Sequence, residues 1–161
     1  MKQTIAFLGL EDLGWHIASH LPRTGHEVWV WHQQDDKAYE HENHFDTTAV
    51  SIDLALQADF ILCCYPERQN LQQLLSIYRA RQGSIWIDCC PDMDGDEACA
   101  AQVMQHGVDY LKAPICVEGH DQPILHIKVA GDEHIFHMAK PIIHSFADHI
   151  EYIGMAEYRY I

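Results

Sequence analysis

No apolar run in this chain approaches the ~18 uncharged residues needed to cross a bilayer. The N-terminus also lacks the order of charged, apolar and small residues that makes a signal peptide. The chain is therefore expected to be soluble and cytoplasmic, with no membrane partner. Basic residues are scarce, 10 Lys and Arg against 24 Asp and Glu, which sets the formal charge at −14. So acidic a surface repels phosphate backbones, and no nucleic-acid partner is expected. Proline and glycine are too scattered to make a linker, and no repeat or low-complexity stretch occurs. Residues 1–161 are expected to form one domain, long enough to bury an ordinary core. The six cysteines show no CxxC spacing, so free thiols are expected rather than a disulfide framework or a preformed metal site.

Histidine, by contrast, is abundant at 13 residues. Protonating all of them would move the formal charge from −14 to −1, so solubility is expected to fall on mild acidification. His16/His20, His41/His44 and His134/His137 have helical spacing, but no Cys or carboxylate nearby in sequence completes a tetrahedral set. They are expected on the surface, not around a metal.

Strand and helix signals alternate along the whole chain. Strands are expected at 5–8, 27–31, 49–51, 59–64, 84–89, 108–111, 124–130 and 151–153. Helices are expected at 12–21, stopped by Pro22 and Gly25, then at 67–80, 94–106 and 132–146, where Pro141 is a potential break. The polar stretch 33–46 has room for a further short helix. Strands separated by helices imply an α/β fold, a Rossmann-type doubly wound and mostly parallel sheet with helices on both faces.

The first strand, turn and helix carry a specific signal. Gly9 and Gly14 occupy the first and third positions of a G-x-G-x-x-G dinucleotide-binding turn. The second position, where a pyrophosphate approaches the backbone, holds Glu11 instead. A carboxylate there opposes the phosphate that a helix N-terminus otherwise attracts. Any binding of NADP or NAD is therefore expected to be weak or lost.

Five blocks in order resemble the N-terminal domain of the 6-phosphogluconate and 3-hydroxyisobutyrate dehydrogenases. They are IAFLGLEDLGWHIASHLPRTGHEVWVW, ADFILCCYPE, GSIWIDCC, LKAPICVEG and VAGDEHIFHMAKPIIHSFADHIEYIG. The resemblance implies dinucleotide contacts from Gly9, Leu10, Glu11, Asp12 and Leu13 at the pyrophosphate. It places His32 and Gln33 at the adenosine ribose, and Cys64, Tyr65 and Pro66 along the nucleotide. Cys90, Pro114 and Cys116 fall towards the substrate cleft. Several positions depart from the family pattern: Lys112, Cys116 and Val117-Glu118 replace Asp, Ser and Gly-Gly, and His32-Gln33-Gln34 shows neither a ribose-binding acid nor a phosphate-binding Arg. The family continues into an all-helical domain that supplies a catalytic Lys. No residue here aligns with that Lys, so no catalytic residue is assigned and the chain is expected to lack a complete active site.

Cys63-Cys64, Cys89-Cys90 and Cys116 fall at or just past strand ends beside the expected crevice, where one of each adjacent pair could face the ligand. Filling of tight strand positions is the favoured reading of these thiols, over a soft-metal or redox cluster. Lys112 is expected to pair with Glu118 or Glu11 or to lie in solvent, rather than to act as a base. Trp29, Trp31 and Trp86 are expected to pack the sheet faces. The tail from Met155 to Ile161 concentrates apolar and aromatic side chains, so a homo-oligomer or an interaction module is a further expectation.

Overall fold

A computed structural model describes residues 2–91 and 95–155. β1 (Thr4–Leu8) leads through a turn into α1 (Leu13–His20), a 3-10 turn (Leu21–Thr24) and β2 (Glu27–Trp31). Then come α2 (Asp35–His44), β3 (Thr48–Ala49), α3 (Ile52–Ala55), β4 (Phe60–Cys63), α4 (Arg68–Leu75), β5 (Ile85–Asp88), α5 (Asp96–Met104) and β6 (Asp109–Lys112). The chain closes with β7 (Ile115–Glu118), β8 (Ile124–Val129), α6 (Glu133–His144) and β9 (His149–Tyr152). None of the helices described is long and apolar enough to cross a membrane.

Six parallel strands lie in the order β3-β2-β1-β4-β5-β6, the doubly wound arrangement. Their residues run nearly continuously apolar because both faces are covered. Ile5, Phe7, Phe60, Leu62, Ile85 and Ile87 point into one core with α1 and α6. Ala6, Leu8, Ile61, Cys63 and Trp86 point into the other, with residues of α3, α4 and α5. Each large side chain so buried contributes about 1.5–3 kcal/mol. Trp86 is fully buried, while Trp29 and Trp31 pack against the second core from its rim.

The expected single sheet needs one correction. β7 pairs antiparallel with β8, and β8 parallel with β9, as a separate three-stranded sheet. It joins the main sheet through paired backbone bonds between Lys112 and Ala130. The sequence reading missed β7 because three of its four residues are exposed, leaving no apolar run to see. It also missed α3, a single turn held by Ser51, whose hydroxyl accepts the Leu54 N–H. α4 stops at Leu75 rather than Ala80, and α6 runs through Pro141, which sits on its exposed face. The tail residues 156–161, with their expected association surface, lie outside the described residues.

Candidate nucleotide crevice

The crevice opens where β1 lies between β2 and β4 and the strand order reverses. Gly9 turns the chain with φ +85°, and its N–H donates to the Trp31 carbonyl at 2.9 Å, tying the turn to β2. A Cβ on Gly9 would meet the Tyr65 ring at 2.7 Å. A Cβ on Gly14 would meet the Gly9 carbonyl oxygen at 2.5 Å. Both positions therefore require glycine, one for the turn and one for close packing of helix on strand.

The loop between them has adapted to Glu11. Asp12, at the start of α1, takes φ 49° and ψ −113°, a conformation that suits glycine and strains other residues by roughly 1–3 kcal/mol. Its side chain does not cap the helix, and of the first N–H groups of α1 that of Gly14 donates to the Glu11 carbonyl at 2.9 Å, which leaves the others for an anion. Leu10 is buried, Leu13 half-buried and Asp12 exposed.

Glu11 bends away towards the end of β2, where its Oε1 lies 3.4 Å from His32 Nε2. His32 is 2% exposed, and its Nδ1 accepts the Gln34 N–H at 3.0 Å. The neutral ring therefore carries its proton on Nε2. Burial pushes the His32 pKa down, helped by Lys37 and opposed by Glu11, which keeps that neutral form. The 3.4 Å contact is an ion-pair distance without hydrogen-bond geometry, and Nε2 has no hydrogen-bond partner among the described residues. A buried donor left unsatisfied costs about 1–3 kcal/mol. Gln33, next in the chain, is exposed.

The ends of β4, β5 and β6 are arranged differently. Asp88 Oδ2 takes Arg68 Nη1 at 2.5 Å and the Tyr110 hydroxyl, while Oδ1 accepts the Cys90 N–H at 3.0 Å. Arg68 and Asp88 are both about 1% exposed. Lys112 is also buried, with its ammonium on the Asp96 carboxylate. The expected pairing of Lys112 with Glu118 or Glu11, or its exposure to solvent, is thus corrected: β6 aims it under α5. Nothing in the spacing of 96 and 112 announces this contact.

Cys64 and Tyr65 are buried, and Pro66 alone of that trio is exposed. The cysteines fill strand positions, the reading favoured from the sequence, and the alternative with one of each adjacent pair facing the ligand is set aside. Cys64 and Cys89 enter one core, Cys63 and Cys90 the other, all within 3% exposure, because both sheet faces are covered. Burial raises the Cys63, Cys64 and Cys89 thiol pKa values, which leaves these groups poor nucleophiles. Sγ of Cys63, Sγ of Cys90 and a carboxylate oxygen of Asp88 lie within 4.8 Å of one another. That donor set does not suit a cation, since Arg68 already neutralises Asp88 and presents its own charge. Pro114 is half-buried and Cys116 exposed on β7, so the fold places Cys90 and Cys116 in different sheets.

Of the histidine pairs, His16 and His20 meet edge to face on α1, ring centroids 4.5 Å apart, with His16 exposed. His41 corrects the surface expectation. It is fully buried, with Nδ1 2.8 Å from the Thr47 hydroxyl and Nε2 3.2 Å from the Trp15 carbonyl. A cavity of about 880 Å³ lies elsewhere, between α5, β6 and α6, lined by Glu97, Asp109, Asp132, Met104, Ile135 and Met155 among others. It shares no residue with the glycine turn.

Residues 4–154 match the sequence family described as the NAD binding domain of 6-phosphogluconate dehydrogenase. The chain is 24% identical over 160 residues to an uncharacterized oxidoreductase of Shewanella frigidimarina, covering 93% of this chain and 55% of that protein. It is 26% identical to 2-hydroxy-3-oxopropionate reductase of Escherichia coli, covering 93% and 54%. Among solved structures, 3-hydroxyisobutyrate dehydrogenase of Mycobacterium tuberculosis, solved with L-serine, superposes with a TM-score of 0.84 at 24% identity, covering 96% of this chain and 55% of that one. The chain spans about half the length of the curated relatives it matches.

Proposed function

The chain belongs to the family defined by the NAD-binding domain of 6-phosphogluconate dehydrogenase, and we propose that its glycine-turn crevice binds a nicotinamide dinucleotide with low affinity. The observation that carries this reading is the pair of glycines whose Cβ positions are forbidden, set against an uncapped start of α1. Such a turn leaves backbone N–H groups for a pyrophosphate. Low affinity follows from Glu11, whose Cβ takes the place of the middle glycine of the turn and whose carboxylate adds a negative charge to the crevice at the end of β2.

The bound cofactor would supply hydride chemistry; these residues would hold and orient it. No proton-transfer group is assigned among the described residues; Lys112 is buried with its ammonium on the Asp96 carboxylate. Titration calorimetry with NAD, NADP and their reduced forms is expected to give dissociation constants weaker than about 10 µM. Tighter binding overturns the low-affinity reading, and no binding at millimolar ligand overturns the dinucleotide reading itself. Gly14→Val, which fills the helix–strand contact, is expected to abolish what binding there is.

A second reading, self-association, draws on Met104 and Met155, exposed at 47% and 62% beside the 880 Å³ cavity. Deleting residues 156–161 together with Met155→Ser is expected to shift light scattering towards a smaller species. A mass independent of both changes removes that reading.

A further inference from the structure

We propose that Glu11 and His32 together read the unphosphorylated ribose of the adenosine half, so that the crevice takes NAD and rejects its 2′-phosphorylated counterpart. The inference rests on the dinucleotide reading above. In doubly wound folds an acid at the end of the second strand accepts a hydrogen bond from the ribose hydroxyl. Here the end of β2 reads His32-Gln33-Gln34 and offers no acid. The fold brings one from a different element, since the Glu11 carboxylate reaches across from the glycine turn to 3.4 Å from His32 Nε2.

The two groups complement a vicinal diol. A ribose hydroxyl donates to the Glu11 carboxylate, and a ribose oxygen accepts from the His32 Nε2–H. That N–H is one of three buried polar side-chain atoms, with Trp86 Nε1 and His126 Nε2, that have no hydrogen-bond partner among the described residues; it sits 2% exposed in a residue whose other ring nitrogen is fixed by the Gln34 N–H. Among the described residues Glu11, at 39% side-chain exposure, is the acid beside it, and Nε2 itself is closed to solvent, so a ligand oxygen meets both groups once the Glu11 side chain shifts aside. A 2′-phosphate would instead set a dianion against Glu11. Asp35 and Asp36 follow in the first turn of α2, and Lys37 is the single base among them. Electrostatics and hydrogen bonding thus favour the same ligand.

The test is a heteronuclear NMR titration of the full chain with NAD and with NADP, a method that reads millimolar affinities. The unmodified chain is expected to favour NAD by about tenfold or more. NAD is also expected to shift the His32 ring resonances. Glu11→Gln keeps the size and removes the charge, so it should bring the ratio near unity, mainly by tightening NADP. Glu11→Gly should tighten both ligands by opening the pyrophosphate approach, and should erase the preference as well. Thermal midpoints within a few degrees of the parent protein would show that each variant is folded. A ratio near unity in the unmodified chain, or one that Glu11→Gln leaves unchanged, overturns the ribose proposal while dinucleotide binding stands. If neither ligand binds the parent chain or Glu11→Gly, the dinucleotide reading fails, and this proposal with it.

Discussion

The two ends of the strand-end surface handle polar groups in opposite ways. At β5 and β6, Arg68, Asp88, Tyr110, Lys112 and Asp96 are drawn inside, and each charge there meets an opposite one. At β1 and β2, a neutral imidazole is left with an unmade hydrogen bond, a carboxylate stays half exposed and a backbone residue is strained. Buried polar groups persist only where partners repay their lost hydration. The paired charges are therefore architecture, whereas the His32 N–H is left beside a half-exposed acid; Trp86 Nε1 on β5 is unpaired too, but inside the core. The 880 Å³ cavity shares Tyr110 with the matched network and nothing with the mismatched one.

The largest effect should come from breaking the matched end. Asp88→Ala takes away the carboxylate that balances the Arg68 guanidinium at 1% exposure and is expected to cost about 3–5 kcal/mol in urea unfolding. The double replacement Arg68→Met with Asp88→Leu should recover much of that, because it removes both charges together. A loss under about 1 kcal/mol for Asp88→Ala would deny the network its structural role.

Acid should act on the other end first. His32 and His41 have pKa values lowered in the fold, both chiefly by burial; Lys37 lowers that of His32 further, against Glu11, and the Trp15 carbonyl opposes the shift at His41. A lowered folded value means the unfolded chain binds protons more readily. The stability these residues contribute is therefore complete above their unfolded pKa of about 6.5 and is lost as pH falls through the folded value. Urea midpoints are expected to drop between about pH 7 and 5, and to drop less in His41→Gln, which keeps an amide for Thr47 and Trp15. A pH response identical to that of the parent chain would show that His41 is not the group concerned.

The smallest change sharpens the contrast. Asp12→Gly removes the strain at φ 49° without losing a cap bond, and should raise stability by about 0.5–1 kcal/mol despite the added chain entropy. A destabilised variant would mean that the aspartate side chain has a role its geometry does not display.

The central strands β1, β4 and β5 could be read from the sequence because each is a short apolar run, a pattern that burial on both faces enforces. The small sheet could not be read so, since β7 is mostly exposed and is set by pairing with β8 rather than by its own residues. At the site, the glycine positions and the oddity of Glu11 were legible. That Glu11 reaches His32 was not, because the two are 21 positions apart and meet only when β1 and β2 pair. His41 and Lys112 misled for a shared reason. Residue type suggests water for both, but the fold supplies each with partners inside.

The place of Lys112 carries a consequence for inheritance. Its backbone makes the joint between the two sheets, and its side chain is balanced by an acid on α5. Reversing either charge alone would set two like charges side by side at a buried position, so the positions are coupled in descent: a lineage that turned Lys112 into an acid would have had to surrender or invert Asp96 in nearly the same step. Chains that share this fold should therefore sort into two groups at these positions, and intermediates carrying only one of the changes should be rare.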